Sequence, residues 1–273
     1  MRNSLPDIGR TMDAGGLGDA IRDTATEIAE LVRGAPGTAG AVPGSRWTVG
    51  EAAAHLALAN ALMAELAAGQ ERGYGDGTPQ SLAAANERGL AAFGERGAEP
   101  LAAMIVAQAE AFLDAVERNP AQGTVITPMG PMSLAELASY LLTHMLGHGW
   151  DLARALGRPH MIDRARVELT MPFMLRAMGR AVDTAAIAGL SARYEIRLWG
   201  GTRFGAVFAD GAVTVREQPP ARPDCTILTE PVDFLLMALG RRGPWGAMAR
   251  GHVVVWGRKP WLGHRFPALF SAP

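Results

Sequence analysis

Apolar residues recur at helical spacing through the first half of the chain. Leu17, Ile21, Ile28, Leu31 and Val32 mark one amphipathic helix, which Gly34 and Pro36 end. A second helix follows Thr48: its hydroxyl and the Glu51 carboxylate form a capping-box pattern, and Gly69 closes the segment. A weaker, alanine-rich helix is expected from Ser81 to about Arg96. Pro100 suits the first turn of another, which runs to about Arg118. Residues 119–132 read as a Pro/Gly connector. Ser133 and Glu136 then repeat the capping box, and the helix they open runs to Leu156, where Gly157 and Pro159 stop it.

The period changes after Leu190. YEIRLWGG, RFGAVFADG and AVTVREQ alternate apolar and polar residues between glycine-containing turns, as half-buried strands do. CTILTE and HVVVW read as further strands. PVDFLLMALGRR reads as a helix with Pro231 near its start, and PWLGHRFPALF as a short final helix. The fold class is therefore α+β. A four-helix bundle is expected over 1–158. Residues 159–273 are expected to hold a linker helix, near Arg164–Val182, and a small sheet-and-helix domain.

Composition narrows the function. The 273 residues carry 26 Lys+Arg against 27 Asp+Glu, a net charge of -1, so no basic surplus points to nucleic acid or to an anionic membrane surface. One cysteine cannot close an internal disulfide. The first residues, MRNSLPDIGRTMDAGGLGD, do not pattern as a secretory signal, and no apolar run is long enough to cross a bilayer. A cytoplasmic location is the expectation. A homodimer and a monomer are equally compatible with the sequence.

Histidines are few, so their placement carries weight. His144 and His148 stand four apart on the best-delimited helix, where residues at i and i+4 point the same way. Two imidazoles there suit one metal ion; two satisfied polar residues inside a bundle are the alternative. The intervening residues make HMLGH, not H-E-x-x-H, which removes the general base of a zinc metalloprotease. A metal site needs a third ligand, and His55, on the second bundle helix, is the candidate. Asp151, three residues after His148, is placed to orient a ligand imidazole, or to pair with Arg154 or Arg158. His160, His252 and His264 are taken as non-ligands. Cys225 reads as a small buried hydrophobe rather than a nucleophile.

Certain residues resemble a known family. W-T-x-x-E-x-x-x-H at Trp47, Thr48, Glu51 and His55, and H-x-x-x-H-x-x-D-x-A-x-A-L-G from His144 to Gly157, look like the mycothiol-dependent maleylpyruvate isomerase family of the DinB-like metal-binding superfamily. N-x-R at Asn86 and Arg88 is similar to a motif those proteins carry between the two ligand helices. PDCTILTEPVDFLLMALGRR, with G-x-V-x-x-x-G at Gly251, Val253 and Gly257, looks like the sterol-carrier-protein-2-like (SCP2-like) domain that often follows. The resemblance implies a DinB-like four-helix bundle carrying a divalent metal, most often Zn2+, on His55, His144 and His148, with mycothiol as cosubstrate. One position departs: the isomerase is expected to have Glu where His144 stands. Three-histidine sites are typical of other DinB-like proteins, thiol S-transferases among them, so the expectation shifts from maleylpyruvate to thiol chemistry more broadly.

The implied chemistry starts from a thiol with a pKa of about 8.5, which a divalent cation deprotonates on coordination. The metal-bound thiolate attacks a small electrophile, anionic or carbonyl-conjugated, giving S-transfer or cis–trans isomerisation. Anionic groups call for cations, and Arg88 and Arg241 are the candidates, with solvated surface arginines as the plain alternative; Asn86 joins them for the cosubstrate, and Asp151 with Arg88 for catalysis. Two other readings stay open. One is a non-enzymatic lipid- or small-molecule-binding protein that uses the second domain. The other is a thiol-independent metal hydrolase, for which Glu51 and Asp151 are the available bases.

Overall fold

The computed structural model describes residues 16–74, 79–119 and 123–271. The N-terminal segment read above as lacking a secretory signal lies almost wholly outside them. The chain divides into two compact units, Met1–Ile162 and Asp163–Pro273.

The first unit is built on helices α1 (Leu17–Arg33), α2 (Val49–Ala67), α3 (Pro79–Ala92), α4 (Ala98–Arg118) and α5 (Leu134–Ala155). α1 and α2 each pack against both α4 and α5, so the four form a bundle in the ring order α1, α4, α2, α5, and α3 lies on α2. α1 buries Leu17, Ile21, Thr24, Ile28 and Val32 along one stripe. α2 is buried nearly all round, from Val49 to Ala67, and its small Ala52, Ala53, Ala54 and Ala57 let neighbours approach closely. Both capping boxes form. The Thr48 and Ser133 side chains accept from the backbone N–H of Glu51 and Glu136, whose carboxylates accept from the cap N–H at 2.8 Å in each case.

α5 approaches its neighbours with no room to spare at Gly149. A Cβ there would stand 2.7 Å from the Met161 sulfur and 3.1 Å from the Ile28 Cδ1 on α1. Only glycine allows this approach.

Two local expectations change. α3 ends at Ala92 rather than near Arg96, because the Arg96 guanidinium turns back to donate to the carbonyls of Leu90 (2.9 Å), Phe93 (2.5 Å) and Glu95 (2.7 Å). The connector of residues 119–132 contains a hairpin, β1 (Val125–Thr127) and β2 (Gly130–Met132), paired antiparallel. Strands of three residues are too short to show a period in the sequence.

The second unit opens with α6 (Arg164–Met178), capped by the Asp163 side chain, and holds β3 (Ala192–Leu198), β4 (Arg203–Ala209), β5 (Ala212–Arg216), β6 (Cys225–Thr229), α7 (Pro231–Ala238), α8 (Pro244–Ala249) and β7 (Val253–Trp256). The sheet order is β5-β4-β3-β6-β7; only β3 and β6 run parallel. Tyr194, Ile196, Phe204, Phe208 and Ile227 alternate onto the buried face. The expected helix from Arg164 stops at Met178, with Gly179 as its cap, four residues before Val182. α8 was not read from the sequence. The expected final helix is two 3₁₀ turns, Pro260–Arg265 and Pro267–Leu269. Cys225 is fully buried, and burial pushes its thiol up to about 11. It is a packed hydrophobe, as its sequence context indicates. No helix among the described residues is long and apolar enough to cross a membrane.

Candidate metal centre

Three imidazoles converge inside the first unit. His55 projects from the second turn of α2, and His144 and His148 from one face of α5, because both capping boxes fix where these helices start and so the phase of every residue after them. One ring nitrogen of each histidine lies within 4.8 Å of the others. His55 Nε2 and His144 Nε2 stand 3.0 Å apart. The ring centroids are separated by 5.0 Å (His55–His144), 4.9 Å (His55–His148) and 4.6 Å (His144–His148). Imidazole nitrogens that share one tetrahedral ion at ordinary bond lengths stand about 3.3 Å apart. The donor set and its spacing therefore fit a divalent metal.

The surroundings favour a neutral imidazole at His55. His55 is 5% exposed, and burial, together with the nearby His148, holds its pKa well below the ordinary histidine range. The Asp151 carboxylate lies 3.3 Å from His148 Nδ1. That contact selects the tautomer that keeps the Nε2 lone pair of His148 available. The indole of Trp47, the residue before the α2 cap, packs at 4.7 Å from the His55 ring and 5.9 Å from that of His148.

The other expected site residues lie farther out. Asn86 and Arg88 sit on α3, and Arg88 is exposed. Their link toward the imidazoles runs through two tyrosines. Tyr74 donates its phenol to Asn86 Oδ1 at 2.5 Å, and Arg88 offsets part of the upward push of burial on that phenol. The Tyr140 phenol is pushed up to about 12 by burial and by Tyr74. The Tyr140 ring meets His144 edge-on at 6.3 Å. Tyr140 was missed in the sequence, although it stands four residues before His144 and so on the same face of α5. Arg241 belongs to the other unit, in the turn after α7, where its guanidinium donates to the Leu239 carbonyl at 2.6 Å.

The two carboxylates available as bases are already engaged. Glu51 accepts from the Thr48 N–H and hydroxyl, and those bonds hold its pKa below the usual carboxylate value. Asp151 faces His148.

Comparison with known proteins gives two family matches. Residues 19–153 match the family described as the mycothiol maleylpyruvate isomerase N-terminal domain, and residues 175–259 match the SCP-2 sterol transfer family. Among solved structures, a histidine mutant of the mycothiol-dependent maleylpyruvate isomerase is similar over 88% of this chain and 91% of that one, at 12% identity and a TM-score of 0.50, a likeness of fold. A UbiJ-SCP2 ubiquinone synthesis protein aligns over 38% of this chain and 91% of its own, at 20% identity and a TM-score of 0.30. A stereoselective inverting sec-alkylsulfatase from Pseudomonas sp. aligns at 14% identity and a TM-score of 0.33; it covers 51% of this chain, which spans only 25% of the sulfatase. No curated protein matches the chain by sequence.

Proposed function

We propose, for a chain that belongs through residues 19–153 to the mycothiol maleylpyruvate isomerase N-terminal domain family and through residues 175–259 to the SCP-2 family, that it is a metal-dependent enzyme of thiol chemistry. Its cosubstrate is mycothiol, and its reaction is attack of that thiol on the electrophilic carbon of a small substrate, leading to S-transfer or cis–trans isomerisation. The observation that carries this reading is the convergence of His55, His144 and His148, with Asp151 behind His148.

His55, His144 and His148 would hold the ion, most suitably Zn2+, and leave a coordination position for the thiol. A divalent ion supplies the positive charge that lets a thiol ionise near neutral pH. The chain's own residues do the rest. Asp151 fixes the orientation of His148. Trp47 covers two of the rings. Tyr140 keeps its proton at neutral pH, so its phenol is a donor for oxygen charge that develops on a substrate. Asn86 and Arg88, tied to Tyr74, offer polar and cationic contacts to the cosubstrate. The only cysteine is buried with a raised thiol pKa, so the reactive sulfur comes from a small molecule. Engagement of Glu51 and Asp151 disfavours the hydrolase reading, which needs one of them as a base.

Elemental analysis and mycothiol-binding calorimetry on wild type and His148→Ala test the proposal. The expected result is about one divalent ion per wild-type chain, with thiol binding that disappears in the variant. A metal-free wild type, with His55→Ala, His144→Ala and His148→Ala all retaining activity, overturns it.

A further inference from the structure

The face of the second unit's sheet opposite the one that holds Tyr194 and Ile196 carries a cavity of about 620 Å3, within the size range of small-molecule sites. It is not an apolar cavity. The pleat that turns Tyr194 and Ile196 inward turns Glu195 and Arg197 outward. Strand register then sets Glu195, Thr226 and Trp256 in one row across β3, β6 and β7, and places Arg197 directly opposite Arg203 of β4.

Two like charges facing each other across a strand pair destabilise a sheet. Glu195 compensates unequally. It takes two bonds of 2.9 Å from Arg197, from Nε and Nη2, but stands 3.8 Å from Arg203 Nε. Arg258 brings a third guanidinium to the lining. Arg258 is already bonded to Asp224 and Arg197 to Glu195, so Arg203 is the lining guanidinium left without a close carboxylate. Arg197 keeps three N–H donors beyond those given to Glu195.

The walls suit a flat ligand. Trp256 is 40% exposed, and the Arg197 guanidinium lies 5.6 Å from its ring centroid. Pro219 and Pro220 form the opposite side. They pack so closely on β4 that a Cβ at Gly205 would stand 2.7 Å from Pro220 Cδ and 3.1 Å from Pro219 Cα. Proline rings with fixed φ, seated on a strand, lose little freedom when a ligand binds.

We propose that this cavity binds a small organic anion in which a carboxylate is joined to a planar apolar ring. The carboxylate pairs with Arg203 and the free donors of Arg197, and the ring lies among Trp256, Pro219 and Pro220. The chemistry runs against a sterol, which would leave the Arg203 guanidinium without a close counter-charge. The inference rests on the second unit alone and stands whether or not the histidines hold a metal.

Calorimetric titration of the full chain with 2-naphthoate, and separately with the uncharged 2-naphthamide, tests it. Naphthoate is expected to bind one-to-one with a Kd of about 0.1–1 mM, as its size allows. The amide is expected to bind at least about tenfold more weakly, since it lacks the charge-assisted bonds. Arg203→Gln and Trp256→Ala each weaken naphthoate by about tenfold or more. Trp245→Ala, at an exposed tryptophan outside the cavity lining, leaves it unchanged. Arg203 is exposed and loosely held, so its replacement preserves the fold, and that variant decides the matter even if Trp256→Ala fails to fold. Equal binding of acid and amide, no binding of either, or wild-type affinity in Arg203→Gln overturns the proposal.

Discussion

Two clusters among the described residues bring three potential metal ligands within reach of one another, and they differ in what already surrounds them. In the first unit His55, His144 and His148 are imidazoles from two helices; in the second, Glu230, Asp233 and His252 gather at the start of α7 and beside β7. Asp233 is wholly buried, yet the chain has filled its coordination. Arg242 bonds to it, Arg250 approaches at 3.3 Å, and His252 Nδ1 lies at 2.5 Å. Burial alone would raise its pKa, but the bonds from Arg242 and His252 hold it below the usual value. Glu230 is occupied as the helix cap, accepting from the Asp233 N–H at 2.8 Å. Proximity of ligand-type residues is thus a weak criterion. The second cluster carries its own cations, whereas the first offers imidazole nitrogens and a single orienting carboxylate.

The largest expected effect separates the two clusters directly. Replacing His55 or His148 by alanine removes one of the proposed ligands. Bound metal, read by elemental analysis, should fall from about one ion per chain to a small fraction. Asp233→Asn should leave metal content unchanged; a drop would show that the second cluster also holds an ion.

Next in size is the stability of the second unit. Asp233→Ala strands two guanidiniums and an imidazole that are between a third and a half exposed. Because water reaches them, the loss should be about 3 kcal/mol, at the low end for a broken buried network, measured by urea unfolding. The pH dependence has a definite sign. The folded pKa of Asp233 is depressed, so its contribution is present above the unfolded carboxylate value of about 3.9 and is lost as pH falls through the folded value. Wild type should therefore lose more stability than Asp233→Asn on acidification below about pH 4.

A smaller effect sharpens the picture of the first cluster. Asp151→Asn keeps the shape but weakens the hold on His148. Metal affinity should fall by about 10–100-fold, read by competition with a chelator. An unchanged affinity would mean that His148 needs no orienting partner. The smallest effect concerns how α2 is set: Thr48→Ala should cost about 1 kcal/mol of stability through loss of the cap.

What the sequence discloses here is what local spacing encodes. The two capping boxes, the four long helices and the i, i+4 pair of histidines all depend on residues within one or two helical turns. They are seen in the structure much as the pattern predicts them. The third imidazole, His55, lies 89 positions from His144. It was singled out as the histidine on the second bundle helix, and the bundle packing then brings it into reach. Tyr140 was legible by the same four-residue spacing and was overlooked. The Asp233 cluster was not legible. Its partners lie 9, 17 and 19 positions away across a turn, α8 and β7, and no period connects them. The arginine-lined cavity was hidden for the same reason, since strand register, not sequence, sets Arg197 against Arg203.

The close approach at Gly149 links folding and chemistry in another way. This residue adjoins His148 in the chain, and its missing side chain is what lets α5 rest on Ile28 and Met161. Any larger residue must push the helix that carries two of the three imidazoles, or push its neighbours. Mutational tolerance at this position is therefore bounded twice, once by packing and once by the placement of the adjacent imidazole. Variants that drift there would lose the fold and the site together. A search for altered reactivity would do better to vary α3, whose outer positions are free of that double constraint.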